Sequence, residues 1–151
     1  MILGHNSLVN VQEQYQLVHP CQEDTIREAG LDLRIARHPE DTTVFYQEYE
    51  DVIVLYPRKF ALALTQEVVH LPKELIGFCN LRSSLARRGI LIPPTIVDPG
   101  FSGKLVIELV NMSESVVTIS IGTRFLHLII AECVAAVAYA GQYQGQFTES
   151  K

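Results

Sequence analysis

The chain has 151 residues, and 48% of them are apolar, enough for one domain with a real core. Only 19% are charged and mean hydropathy is positive, which predicts a surface partly covered by other subunits. A formal net charge of −5 argues against bulk binding to DNA or an anionic membrane, and no apolar run approaches a membrane span.

In chain order, residues 6–16 (NSLVNVQEQYQ) predict one short helix, capped by Asn6 or Ser7. MILGHNSLVN lacks the basic start and long apolar stretch of a signal peptide, so a cytoplasmic location is expected. CQEDTIREAG, ending at Gly30, predicts a turn and brief helix before the strand LDLRIAR. Residues 38–51 are polar and acidic and read as a loop or hairpin end. Strand patterns then follow: DVIVLYP, KFALALTQEVVHLP, LIGFCNLR, KLVIELVN, VVTISI and RFLHLIIAECVAAVAYA. Turn residues separate them at Pro72, Pro93-Pro94, Pro99-Gly100, 111–115 and Gly122. Many short strands at this spacing predict a sandwich, jelly roll or barrel. The polar, glycine-rich end, GQYQGQFTESK, is expected to be mobile until something orders it.

Cys21, Cys79 and Cys133 are far apart and form no CxxC pair, so no disulfide framework is expected. The five histidines show no HxxxH or HxxEH spacing, which predicts scattered histidines rather than a zinc site.

Four stretches carry polar groups that packing alone does not explain. LRSSLARRG (81–89) holds Arg82, Arg87 and Arg88 with Ser83 and Ser84. A serine there can cap a helix whose amides face an anion, and Arg82 and Arg87 can grip phosphate oxygens. A solvated basic turn is the alternative. VDPGFSGKLVIELVN (97–111) opens on a turn at Asp98-Pro99-Gly100, and Gly103 permits close backbone approach. In its strand, Leu105, Ile107 and Leu109 share one face, while Val106, Glu108 and Val110 share the other. A strand apolar on both faces is expected to be buried on both. A lone carboxylate at Glu108 is then costly unless paired or facing a cavity, where desolvation suits it to exchanging protons near neutrality. The alternatives are a glutamate facing water or a structural ion pair. The third stretch, with Tyr139, Tyr143, Gln144 and Gln146, reads as a lid over a ligand or as disorder. In AGLDLRI, Asp32 is expected to pair with Arg34 and hold the strand start.

Together these motifs resemble the dCTP deaminase and dUTPase superfamily over about residues 25–146. AGLDLR, RSSLAR, VDPGFSGKLVIELVN, TRFLHLII with Arg124, and YQGQ are similar to its five motifs in order. IPPTIVD and YQGQ fit the archaeal-type members best. The resemblance implies a mainly β, distorted jelly-roll or barrel-like subunit. It implies a single domain over 1–151 with a C-terminal lid from 139, and a homotrimer with sites at subunit interfaces. The implied substrate is a pyrimidine deoxynucleoside triphosphate carrying Mg²⁺ on its phosphates, with no metal held by side chains.

In that frame Arg82, Ser83, Ser84, Leu85, Ala86 and Arg87 hold the triphosphate. Asp98 lies under the deoxyribose, and Val106 and Ile107 read the base edge. Tyr139, Gln142, Tyr143 and Gln146 belong to the closing tail. Glu108 stands ten residues after Asp98, where deaminases of the superfamily place their catalytic glutamate and plain dUTPases usually place an apolar residue. The implied reaction is zinc-independent deamination of dCTP to dUTP. Glu108 acts as general acid and base on a water held near Ser83 and Arg87. The zinc-deaminase signature HxE…PCxxC is absent. A dUTPase, a bifunctional enzyme carrying dCTP to dUMP, and a non-catalytic nucleotide-binding member are the alternatives. Feedback inhibition by dTTP is common in the family. Three features depart from its pattern: Pro93-Pro94 stands where bacterial deaminases carry a threonine-alanine type pair, Gln142 stands where the lid usually begins with lysine, and FTESK follows YQGQ in place of a glycine-proline-threonine type segment.

Overall fold

The computed structural model describes residues 1–39 and 52–148. The polar stretch read as a loop thus lies mostly outside the described residues.

Helix α1 spans His5–Tyr15 and is followed by the short strand β1, Val18–His19. Gly4, not Asn6 or Ser7, caps it: its carbonyl accepts the Leu8 amide, and no side chain caps the end. Residues 21–30 form turns without the expected helix. Their polar groups are engaged elsewhere: Thr25 Oγ1 accepts the Gln22 amide, the Thr25 carbonyl accepts the Asp32 amide, and the Asp24 carboxylate pairs with Arg34.

The strands LDLRIAR and VIVL form as expected, as β2 (Leu31–Arg37) and β3 (Val52–Leu55). They are followed by β4 (Phe60–His70) and β5 (Leu75–Leu81). A four-residue helix α2, Ser83–Ala86, then interrupts the strands. Beyond it come β6 (Ile90–Leu91), β7 (Thr95–Val97), β8 (Ser102–Asn111), β9 (Val117–Ser120) and β10 (Arg124–Glu132). The last apolar run, expected to continue as strand to residue 140, leaves the sheet after Glu132. There its partner β5 ends at Leu75, and the Cys133 amide turns aside to the Glu74 carbonyl. Val134 and Val137 are consequently exposed.

The main sheet runs β6-β8-β4-β2-β10-β5-β7, antiparallel throughout, with β1 against β4, while β3 and β9 form a separate ribbon. The mainly β class read from the sequence is the one observed. Leu31, Leu33 and Ile35 of β2 and Leu126, Leu128 and Ile130 of β10 meet in the core at 0% exposure.

The longest strand pairing, β4 with β8, is broken by a register shift between Leu64 and Val68. Side chains fill that gap. Thr65 Oγ1 accepts the Leu105 amide at 3.0 Å and donates to the Glu67 carbonyl at 2.8 Å. The buried Glu67 carboxylate accepts the Arg34 amide at 2.9 Å and the Arg34 guanidinium at 3.2 Å. Burial pushes the Glu67 carboxyl up from its ordinary range, opposed by the Arg34 bonds. Replacing Glu67 with alanine leaves Arg34 its ion pair with Asp24 beside a broken ladder, and chemical denaturation is expected to show a loss of about 3 kcal/mol.

Candidate active site

Strand β8 alternates between core and half-buried positions, with Leu105, Ile107 and Leu109 inward. The expected burial of both faces is therefore only half met: Val106, Glu108 and Val110 are half-buried, and Val106 and Glu108 line a cavity. Register places Leu62 of β4 beside Glu108, and Leu64 beside Val106. The carboxylate thus sits among aliphatic neighbours. Its Oε2 is buried and has no hydrogen-bond partner among the described residues. An unsatisfied carboxylate oxygen is expensive and calls for an explanation. Glu108 also lines a cavity of about 600 Å³, together with Thr95, Val106, Tyr143, Gln146, His38 and Phe147.

A second cavity of about 140 Å³ shares Thr95, Val106, Tyr143 and Gln146 with the first and adds Asp98, Phe101, Ile107 and Tyr139. Its inner wall includes Cys79, whose thiol burial pushes up to about 11, aided by the nearby Glu108. Asp98 is carried by the expected turn, in which the Phe101 amide bonds back to the Asp98 carbonyl and Gly100 takes φ 78°. The Phe101 and Tyr139 rings meet edge to face at 5.6 Å and frame that turn.

The tail is docked against this third motif. The Tyr139 amide bonds to the Pro99 carbonyl and the Gly145 amide to the Ser102 carbonyl. Gln144 accepts the Ser102 amide and donates to the Gly100 carbonyl. Gln146 accepts the Lys104 amide through its backbone and donates to the Lys104 carbonyl through its side chain. Gly103 makes this possible: at φ 151°, a Cβ there would stand 3.1 Å from both the nitrogen and oxygen of Gln146. Gly103→Ala is therefore expected to detach the tail, with hydrogen exchange at the Gly145 amide accelerated at least about tenfold.

The second motif stands apart. Leu85 anchors α2 in the core at 3% exposure, which leaves only its backbone for a ligand. The helix is capped by the Arg82 backbone, with no bond from the expected Ser83 or Ser84 hydroxyl. Ser83, Ser84, Ala86 and Arg87 are exposed. Arg82 and Ser83 line a separate pocket of about 280 Å³ with Asp32 and His127. None of residues 82–87 lines either cavity beside Glu108 and Asp98. Gln142 is exposed and lines neither as well.

Asp32 does not pair with Arg34 as expected. Each takes partners from elsewhere in the fold: Arg34 pairs with Asp24 and Glu67, while Asp32 meets Arg82 at 3.0 Å, His127 at 2.7 Å and Arg124 at 3.4 Å. Sequence reasoning also missed His38, Thr95 and Phe147. His38 is buried, with its ring edge to face against Phe147 at 5.3 Å. A single histidine after a strand gives no pattern that marks it as a cavity wall. Among the described residues, no group of three His, Cys, Asp or Glu stands where it could hold a metal ion.

Comparison with known proteins is consistent with this architecture. The chain is 42% identical to a dCTP deaminase of Pyrobaculum arsenaticum, covering 97% of this chain and 93% of that one. It is 46% identical, over 97% and 94% of the two chains, to a probable deoxyuridine 5′-triphosphate nucleotidohydrolase of Sulfolobus islandicus rod-shaped virus 1. The crystal structure of 2′-deoxycytidine 5′-triphosphate deaminase from Agrobacterium tumefaciens shares the fold at a TM-score of 0.70 and 15% identity, over 85% of this chain and 47% of that one. A family model described as dCTP deaminase-like matches residues 36–133, and the chain belongs to that family.

Proposed function

We propose that the protein is a dCTP deaminase that converts dCTP and water to dUTP and ammonia. The observation that carries this reading is Glu108, whose buried Oε2 has no partner among the described residues and whose side chain lines a cavity large enough for a pyrimidine nucleoside. Relatives named dCTP deaminase, about 40% identical over nearly the whole chain, support it.

Glu108 takes a proton from a water, and the resulting hydroxide attacks the ring carbon that bears the amino group. Glu108 then returns protons to the ring nitrogen and to the departing amine, so that ammonia leaves and a carbonyl remains. Acid–base help of this kind is worth roughly 100- to 10,000-fold. The base lies against Val106 and Ile107, the deoxyribose over Asp98, and Tyr139, Tyr143 and Gln146 close the site. Gln142, just before the YQGQ stretch of that lid, stands toward the phosphates.

Arg82 to Arg87 meet the triphosphate, with Ser83 and Arg87 orienting the water. These residues stand away from Glu108 within one chain, so the complete site needs a second copy of the chain, in keeping with a homotrimer. Mg²⁺ arrives as part of the substrate, on its phosphates. The reading places the enzyme in the cytoplasm, with dTTP as a competing feedback inhibitor.

Hydrolysis of dUTP is the second reading. Asp98 in the smaller cavity and the viral relative's name favour it. Ammonia and pyrophosphate are to be measured in parallel with dCTP, CTP and dUTP. Ammonia from dCTP with no pyrophosphate from dUTP is the expected pattern; pyrophosphate alone would replace the first reading with the second.

A further inference from the structure

The Asp32 carboxylate is 3% exposed, and its two oxygens have divided duties. Oδ1 takes the His127 Nδ1 at 2.7 Å. Oδ2 faces Arg82 Nη1 at 3.0 Å, Arg124 Nη1 at 3.4 Å and Arg27 Nε at 3.9 Å. The partners come from the turn before β2, the junction of β5 with α2, and both ends of one stretch of β10. His127 is itself held in place, because Gly30 leaves room for nothing larger: a Cβ there would lie 2.6 Å from the His127 Nε2. The Arg82 backbone is fixed too, its amide bonding to the Phe125 carbonyl at 2.8 Å. Arg82 is thus fixed at both ends, yet its guanidinium gives only one nitrogen to Asp32 and lines an open pocket with Ser83.

We propose that Asp32 is a positioning residue for triphosphate recognition, aiming the Arg82 guanidinium into the Ser83 pocket through Oδ2 while His127 fixes the carboxylate through Oδ1. The inference rests on the reading that Arg82 meets the triphosphate. An arginine side chain loses much rotamer freedom when it grips a ligand, and a carboxylate that orders it beforehand removes that cost from binding. A guanidinium has five donors, and its ion pair with Asp32 leaves the fork open for phosphate oxygens. The same carboxylate would repel a triphosphate, but three arginines around it offset its charge.

Steady-state kinetics on the full chain test this with Asp32→Asn, Arg82→Ala and the double variant. Asp32→Asn is expected to raise KM for dCTP at least about tenfold, the scale of one charge-assisted hydrogen bond, with kcat within about threefold. Added to Arg82→Ala, it should have almost no further effect, because it acts through Arg82. His127→Gln keeps a donor for Oδ1 and should restore a near-native KM where His127→Ala raises it. Should Asp32→Asn fail to fold, His127→Ala in the same cycle with Arg82→Ala decides. An unchanged KM, a fall in kcat alone, or additive effects with Arg82→Ala would each overturn the proposal. Calorimetric binding of dCTP and dUTP to the unaltered protein separates the two levels. If neither binds, the functional reading falls and the inference with it; if they bind and the variants match the unaltered protein, the inference alone falls.

Discussion

Glu108→Gln is expected to cut ammonia release from dCTP by at least about 100-fold and up to about 10,000-fold, while dCTP still binds within a few-fold of the unaltered protein. Glutamine keeps the shape of the side chain but cannot take a proton from water. The site shows why the loss should be confined to chemistry. Glu108 makes no hydrogen bond through Oε2 that the fold depends on, and its strand neighbours Val106 and Val110 are aliphatic. Stability should therefore change by less than about 1 kcal/mol. Unaltered ammonia release by this variant would remove Glu108 from the mechanism, and loss of dCTP binding would give it a binding role instead.

Mixing two inactive variants should restore activity. Glu108→Gln lacks the acid and base, and Arg87→Ala lacks a second-motif arginine. In one chain Arg87 is exposed at the end of α2 and lines neither cavity beside Glu108 and Asp98, whereas Glu108 lines the large one. If each site takes Glu108 from one subunit and Arg87 from its neighbour, a trimer assembled from an equal mixture has an intact pair at roughly a quarter of its sites. Activity near that fraction after joint refolding is the expected result. Activity no higher than that of the separate variants would mean that both residues serve one site from one chain, or that the subunits do not share sites. Light scattering on the same samples reports whether three copies assemble.

The strand pattern was legible because β2, β4, β8 and β10 alternate or run apolar with turn residues between them. Glu108 was legible for the same reason: one carboxylate interrupts an otherwise aliphatic face. Other features depend on contacts between distant residues, which local pattern does not encode. Asp32 and Arg34 are two apart on one strand, and the sequence paired them. The fold instead gives each its own partners from other strands, since local spacing says nothing about which cations arrive from β10 or the end of β5. Caps misled in a similar way. Asn6, Ser7, Ser83 and Ser84 are good cap residues by type, but Gly4 and the Arg82 backbone occupy the cap positions, and no side-chain oxygen reaches the helix amides. The apolar residues after Glu132 resemble strand, yet the pairing with β5 ends at Leu75 and no strand among the described residues continues it. The cavity wall formed by His38 and Phe147 brings together residues 109 positions apart, which only the docked tail reveals.

The most direct test of the central claim is to incubate the protein with dCTP and Mg²⁺ in ¹⁸O-labelled water and to locate the label by mass spectrometry. Deamination through a Glu108-activated water predicts one ¹⁸O in the uracil base of dUTP, with ammonia released and the triphosphate unlabelled. Label in a phosphate with the cytosine amino group retained would contradict the account and make the protein a triphosphate hydrolase.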